Sequence, residues 1–462
     1  MCVLGAHVFT GTRGRAGRLL LGGRGGYYRE GVQLDLDFVR SQFPAFGRPI
    51  NDGQSFFENA GGSFACRQTI DALTEYYTDF KVQPYGEFES SARAGALMDR
   101  SRARWAEALG VEPREVIFGP STSANTYVLA HAFAGVLEPG HEVIVTNQDH
   151  EANTGAIRRA AEAVGCTLRE WRTDPVSGLL DIDEFESLLS ERTGLVTVPH
   201  VSNIVGVEND VARITALAHT VGARVIVDGV SFAPHSFPDV AALGADVYLF
   251  SLYKTYSVHQ GLMVVRAGLL TELPNQSHFF NDNVADKRLN PAGPDHAQVA
   301  SAGAVLDYVE LLHRHHGGEH GGEHGGEHRG DRGGDDGDDL RTAAAAVSAL
   351  WREHEDSLSP VLLDLLAARD DVRLLGPSTI DATPGHRCPT IAFSPLAIEP
   401  EAAAHELVQR GVQTSSGHYY AARVLDGLGV DPDRGVVRLS FVHYTSPADV
   451  ARAAEALTDV LD

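Results

Sequence analysis

Cysteine is scarce and scattered in this 462-residue chain: Cys2, Cys66, Cys166 and Cys388, with no CxxC pair. That distribution excludes a disulfide framework and a cysteine-based zinc site, and predicts a reducing, cytoplasmic setting. Long apolar runs are also missing. None approaches the roughly 20 residues needed to span a bilayer. Within residues 1–31 the longest is Leu19-Leu20-Leu21, too short for a signal peptide. No membrane partner is expected. Positive charge is in deficit, with 38 Lys and Arg against 62 Asp and Glu and a net charge of −24. Grip on a nucleic-acid backbone needs clustered Lys and Arg, so DNA and RNA are not expected as partners. The acidity belongs to the body of the chain and reads as solubility. Three signatures are absent as well: a strand-linked GxGxxG, a GxxxxGK[ST] loop and a GxSxG elbow. Their absence argues against a dinucleotide site, a P-loop and an α/β hydrolase.

What is present is ordinary globular composition, 43% hydrophobic and 22% charged, enough to bury a large core. Apolar runs EVIVT (142–146), LVTV (195–198), RVIVD (224–228), VYLFS (247–251) and GLMVV (261–265) alternate with helical patterns at 153–164 and 210–221. Short buried strands separated by helices predict βαβ units around a mainly parallel sheet. Helical runs at 300–312 and 340–368 flank a low-complexity tract, 313–339, in which GGEH repeats three times. Short strands at 372–375, 390–393, 412–414 and 436–441 and a final helix, 447–461, predict a second, smaller α/β domain. The expected division is therefore a disordered extension (1–31), a segment joining the small domain (32–49), a large domain (50–312), a flexible insertion (313–339) and a small domain (340–462). HGGEH matches a zinc-protease pattern, but that pattern works on a helix, and Gly-Gly between the ligands opposes one. Weak binding of Ni, Cu or Zn is all the tract implies, and no metal site is assigned.

Asp228 ends one apolar strand, and Lys254 lies just past another (VYLFSLYK). Both fall at the C-terminal edge of one sheet, where open α/β folds hold ligands. A lysine forms a Schiff base with an aldehyde, and a carboxylate keeps a pyridine nitrogen protonated, which is the protein's share of pyridoxal phosphate (PLP) chemistry. On spacing alone, a surface lysine and a strand-end aspartate capping a loop explain the pair as well.

The flanking motifs extend the pattern: DHEAN (149–153), HVSNIVGVEND (200–210), VDGVSFAPHSFPDVAALGADVYLFSLYK (227–254) and VRLSFVHYTSPADV (437–450). In these, from about residue 42 to the C-terminus, the chain resembles the class V aminotransferase and cysteine desulfurase-like family. The resemblance implies the PLP-dependent transferase architecture of fold type I, with PLP as cofactor, an α-amino acid as small-molecule substrate and a homodimer with shared active sites. It implies Lys254 as the Schiff-base lysine, Asp228 as the partner of the pyridine nitrogen, and His150 as the ring that stacks on the pyridine and shuttles protons. Asn203 matches the asparagine facing the pyridine hydroxyl. Ser231 stands where desulfurases often carry Gln or His. Ser121 and Thr122, in GPSTSANTYVLAHAF (119–133), match the phosphate-binding pair at a helix start. Ser251 and Tyr253 match two further phosphate ligands, Tyr253 replacing a frequent histidine.

Arg438 matches the arginine that grips the substrate carboxylate, a task suited to its planar fork. Asn59, in FFENAGG (56–62), matches a segment lining the substrate pocket. Pro294 or Asp295 stands where many relatives supply a threonine to the partner's phosphate site. The nucleophilic cysteine of desulfurases has no counterpart in VQTSSGHYYAARVL (412–425), where His418, Tyr419 and Tyr420 stand instead. The expected activity is therefore transamination or β-elimination on an α-amino acid. The alternatives are cysteine desulfuration proper, or a non-catalytic PLP-fold protein that binds metal through the histidine tract.

Overall fold

Runs of Val, Ile and Leu with no polar alternation can settle only where both strand faces are covered, and the chain provides such a layer. The computed structural model describes residues 32–284, 287–317, 339–381 and 385–462. The extension 1–31 and the GGEH repeats beyond Gly317 lie outside the described residues. Seven strands form the central sheet, in spatial order Val116–Gly119, Gly261–Val265, Val247–Ser251, Arg224–Asp228, Thr193–Pro199, Glu142–Thr146 and Thr167–Trp171. Only Gly261–Val265 runs antiparallel to its neighbours. Four of these strands are buried along their whole length. Helices Thr122–Ala134, Glu151–Val164 and Val211–Thr220 are among those that pack on the sheet faces.

Two expected elements differ. The helical run at 300–312 is two helices, His296–Ala302 and Ala304–His315, broken at Gly303. The Ala302 carbonyl is drawn out of the ladder by the Trp105 indole N–H (3.0 Å), and a Cβ on Gly303 would lie 2.9 Å from the Ser101 backbone. The strand at 412–414 is likewise divided. Val412–Gln413 pairs in parallel with Ser55–Phe56, and Ser415–Gly417 crosses into a second sheet. Thr414 marks the crossing by donating to the Arg438 carbonyl (2.7 Å).

That second sheet is antiparallel, in the order Ser415–Gly417, Val436–Ser440, Thr390–Pro395 and Val372–Leu374. Its core joins Ile391, Phe393, Val437 and Leu439 to Val450, Ala453 and Leu457 of the C-terminal helix Pro447–Leu461. Helix Leu340–Ala367 serves both cores. Leu340, Ala344, Val347 and Trp351 belong to the large one, and Leu358, Leu362, Leu363 and Leu366 to the small one. Pro360 lies within the second stretch.

An aromatic seam joins the two units. His443 is fully buried, with Nε2 2.9 Å from the Tyr308 hydroxyl and Nδ1 3.2 Å from that of Tyr256, and Trp351 stacks on it at 4.2 Å. Burial first, then the nearby His354 and His235, holds its pKa well below the usual histidine value. Phe43 of the N-terminal segment packs on Tyr256, Tyr308, His443 and Tyr444, and Arg40 pairs with Asp449 at 2.8 Å. No described helix is long and apolar enough to cross a membrane.

Candidate active site

The C-terminal edge of the large sheet carries the site. Parallel strands bring Asp228 and Ser251 to that edge, and antiparallel pairing puts Gly261 opposite both Ser251 and Gly119 there. Helix Thr122–Ala134 begins directly after the edge strand, so its free N–H groups open onto the same place. The approach is close: a Cβ on Gly261 would overlap the Ser121 carbonyl carbon and the Thr122 nitrogen. Glycine is required there by contact, not by φ. Thr122 Oγ1 lies 2.7 Å from Ser251 Oγ, which couples the helix start to the strand end. Thr122, Ser123, Ser251 and Tyr253 face one cavity together with Lys254.

Lys254 ends a short 3-10 turn and is 9% exposed. Ser63 holds its backbone by donating to the Lys254 carbonyl (2.8 Å). Its amine is pushed down to about 8, chiefly by burial and then by Arg438; Asp228 and Glu58 act the other way. Asp228 accepts the Val230 N–H (2.8 Å), yet burial raises its carboxyl to about 6, against the opposing effects of that bond and of Lys254. His150 caps helix Glu151–Val164: its Nδ1 accepts the Ala152 N–H (3.0 Å), so the ring proton resides on Nε2. Burial, then Lys254, Arg438 and His418, lowers its pKa to about 3, so the ring is neutral and can stack on another neutral or electron-poor ring.

Above this floor lies a cleft of about 580 Å³ that shares Lys254, His150, Asn203 and Tyr253 with it and adds Glu58, Tyr419, Tyr420 and Arg438. Arg438 is 3% exposed. Its Nη2 donates to Glu58 Oε1 (3.0 Å), its Nη1 to the Asn203 carbonyl (3.3 Å), and the Tyr419 ring covers the guanidinium at 3.8 Å. Tyr419 and Tyr420 are successive left-handed residues (φ 49° and 57°), a strained conformation for tyrosine. Four contacts hold it: Asn203 Nδ2 to the Tyr419 carbonyl (3.0 Å), the Tyr419 hydroxyl to the Ser415 carbonyl (2.5 Å), the Glu151 N–H to the Tyr420 carbonyl (2.7 Å), and the Arg438 stack.

Of the expected residues, Thr122, His150, Asn203, Asp228, Ser231, Ser251, Tyr253, Lys254 and Arg438 line these two connected spaces. Ser121 is not in the lining. It is the helix N-cap, its hydroxyl accepting the Ala124 N–H (3.1 Å), and the hydroxyl beside Thr122 is that of Ser123. Asn59 lines a separate recess beside Ser231, donating to the Ser440 carbonyl (3.1 Å) and accepting from the Tyr444 hydroxyl. Asp295 caps helix His296–Ala302. Two carboxylates were missed from sequence: Glu58, which lines the cleft, and Asp149, buried near Asp228. Asp149 is buried, both its oxygens held by Asn153 Nδ2 (2.9 and 3.0 Å), and burial and the nearby Asp228 raise its pKa well above normal. The i to i+4 spacing inside DHEAN was the available signal.

The cysteines stand apart. Cys66 and Cys388 are buried, with thiols pushed up to about 11 and about 12 mainly by burial, and Cys166 contacts the Glu138 carbonyl. No cysteine is among the residues that line the cleft.

Residues 55–320 and 341–453 match the aminotransferase class-V family. The chain belongs to that family. Class V enzymes depend on PLP, and this chain's donor set fits the group. The helix start with Thr122, Ser123 and Ser251 suits a phosphate. Asp228 suits a pyridine nitrogen. The buried Asn203 Oδ1 has no partner, and Lys254 ends beside both. Among class V relatives, the aminotransferase-like protein FGM3 of Gibberella zeae is 29% identical, over 93% of this chain and 99% of its own length. A probable cysteine desulfurase of Streptomyces coelicolor is 27% identical, over 93% and 97%. The cysteine desulfurase of Thermococcus onnurineus, solved in its apo form, shares the class V fold with a TM-score of 0.76 at 21% identity, covering 93% of this chain and 98% of that one.

Proposed function

We propose that the chain acts on an α-amino acid as an aminotransferase or a β-eliminating lyase, with Lys254 as the covalent anchor of PLP. The observation that carries this reading is the convergence of Lys254, Asp228, His150 and Arg438 on one cleft, each from a different strand end or loop. When bound, PLP supplies an electron sink that makes the substrate Cα proton acidic. The chain's own groups do the rest. Thr122, Ser123 and Ser251 would hold the phosphate at the positive end of the helix. Asp228, kept charged by a protonated pyridine, would hold that nitrogen; His150, neutral, would cover the ring. Arg438 receives the substrate carboxylate. Lys254, with its amine lowered to about 8, can take a proton from the substrate Cα and return it near neutral pH.

Desulfuration by a persulfide ranks below these outcomes. It needs a thiolate beside the substrate, and the described thiols are buried, tuned upward or turned elsewhere. A cytoplasmic homodimer completes the reading. Exposed Phe280 lines a cavity that does not include Lys254, formed by residues 83–85, Met98 and residues 277–284 and 287–296, and with its exposed neighbour Phe279 offers an apolar face to a second copy.

The test is the visible spectrum of purified protein supplied with PLP, before and after borohydride, beside Lys254→Ala. A yellow band that borohydride abolishes, and that Lys254→Ala lacks, is expected. A protein colourless after added PLP would sink the reading.

A further inference from the structure

Glu58 takes up the group that the substrate needs. A guanidinium offers five N–H donors, and a bidentate grip on a carboxylate uses two of them side by side. In Arg438 the Nη2 donor goes to Glu58 Oε1, Nη1 goes to the Asn203 carbonyl, and Tyr419 covers a face of the plane. Only the buried Nε has no partner. Glu58 lines the cleft with Lys254 and Arg438, and its side chain is 26% exposed. Its other oxygen, Oε2, accepts from Ser415 Oγ (2.7 Å). The space around Oε1 depends on a glycine, because a Cβ on Gly61 would lie 2.8 Å from it. The carboxylate is thus tethered at one oxygen and lent to Arg438 at the other.

We infer that Glu58 is a specificity-determining residue, a built-in competitor that gives up Arg438 to the carboxylate of the incoming substrate. The inference rests on Arg438 being the carboxylate site proposed above. In the free enzyme Glu58 occupies Nη2, one arm of the fork. On substrate entry it turns about its Ser415 bond toward the open side of the cleft, and the substrate carboxylate takes Nη2. Apparent affinity for a carboxylate ligand is then reduced by the fraction of enzyme in which Glu58 holds the arginine. A ligand without a carboxylate does not compete and is unaffected. A fixed strut that merely oriented Arg438 would have the opposite effect, since removing it would weaken carboxylate binding.

The sign therefore decides. Holoenzyme is titrated with L-alanine and with ethylamine, its carboxylate-free counterpart, following the cofactor band; propionate binding is followed by calorimetry. Glu58→Gln is expected to bind L-alanine and propionate about tenfold tighter, with ethylamine within about twofold. Ethylamine also cancels any change that Glu58 makes at Lys254, whose amine it influences. Glu58→Asp keeps the charge but is one methylene too short to span both contacts, and is expected to shift the same way; it carries the test if Glu58→Gln does not fold. Unchanged or weaker L-alanine and propionate binding in the folded variant overturns the inference and makes Glu58 a strut. A missing cofactor band in the unsubstituted enzyme overturns the proposed function, and this inference with it; a normal band with the wrong sign overturns the inference alone.

Discussion

The floor and the wall of the cleft are built on different principles. The floor is set by the sheet: Asp228, Ser251 and Lys254 stand where they do because consecutive parallel strands end at one edge. The wall is set by side chains. Glu58, Asn203, Ser415, Tyr419 and Arg438 come from four separate segments and hold one another through an ion pair, hydrogen bonds and a ring stack. The floor is stiff because backbone pairing fixes it. The wall can rearrange, because its contacts are exchangeable without unpairing a strand. On the proposed function, cofactor binding belongs to the first and choice of substrate to the second.

The contrast can be broken at the floor with one methyl group. Gly261→Ala would force backbone of the Thr122–Ala134 helix start away from the sheet edge. PLP affinity is expected to fall about a hundredfold, equivalent to about 3 kcal/mol, while the wall contacts persist; fluorescence titration of cofactor-free protein measures it. An unchanged affinity would mean that the helix start is not the phosphate cradle.

Asp228→Asn sharpens the distinction between stability and function. A buried carboxylate whose pKa is raised to about 6 costs stability wherever it is ionised, and the cost disappears as pH falls below the unfolded value near 4. The cofactor-free variant is expected to gain up to about 3 kcal/mol at pH 8 and almost nothing at pH 4. Urea unfolding at both pH values, with PLP affinity measured in parallel, gives the comparison. Equal stability at pH 8 would show that the native carboxylate is not strained by burial.

The smallest effect lies in the seam behind the cleft. His443 stays neutral when folded, so the unfolded chain binds the extra proton below about pH 6.5, and stability drops as pH falls. His443→Asn is expected to flatten the dependence between pH 6 and 5 by about 1.4 kcal/mol per unit, relative to the parent. Parallel slopes would show that His443 is protonated inside the fold.

Legibility from sequence followed the same division. Strands 142–146, 224–228, 247–251 and 261–265 were readable to the residue, because a short apolar run has few ways to be buried. Asp228 was readable as the last residue of such a run, and Lys254 as a residue just past another. The break at Gly303 was not, because the force that makes it comes from Trp105, about two hundred residues away. Glu58 was invisible for the same reason. Nothing in FFENAGG reveals that an arginine 380 residues later will face it. Ser121 was plausible and proved to be a cap, since a hydroxyl at a helix start can bind a ligand or its own backbone, and local sequence does not say which.

The helix shared by both cores has a mechanical consequence. Its first half is anchored among large-domain side chains and its second half among those of the small domain, so the two bodies are joined by a shaft and not by a slack tether. A shaft bends where its ladder is thinnest. Pro360 has no N–H to give to the carbonyl of Asp356, one turn back, so the helix lacks a rung close to where ownership passes from one core to the other. Any bend between the two cores is therefore expected at residues 356–360.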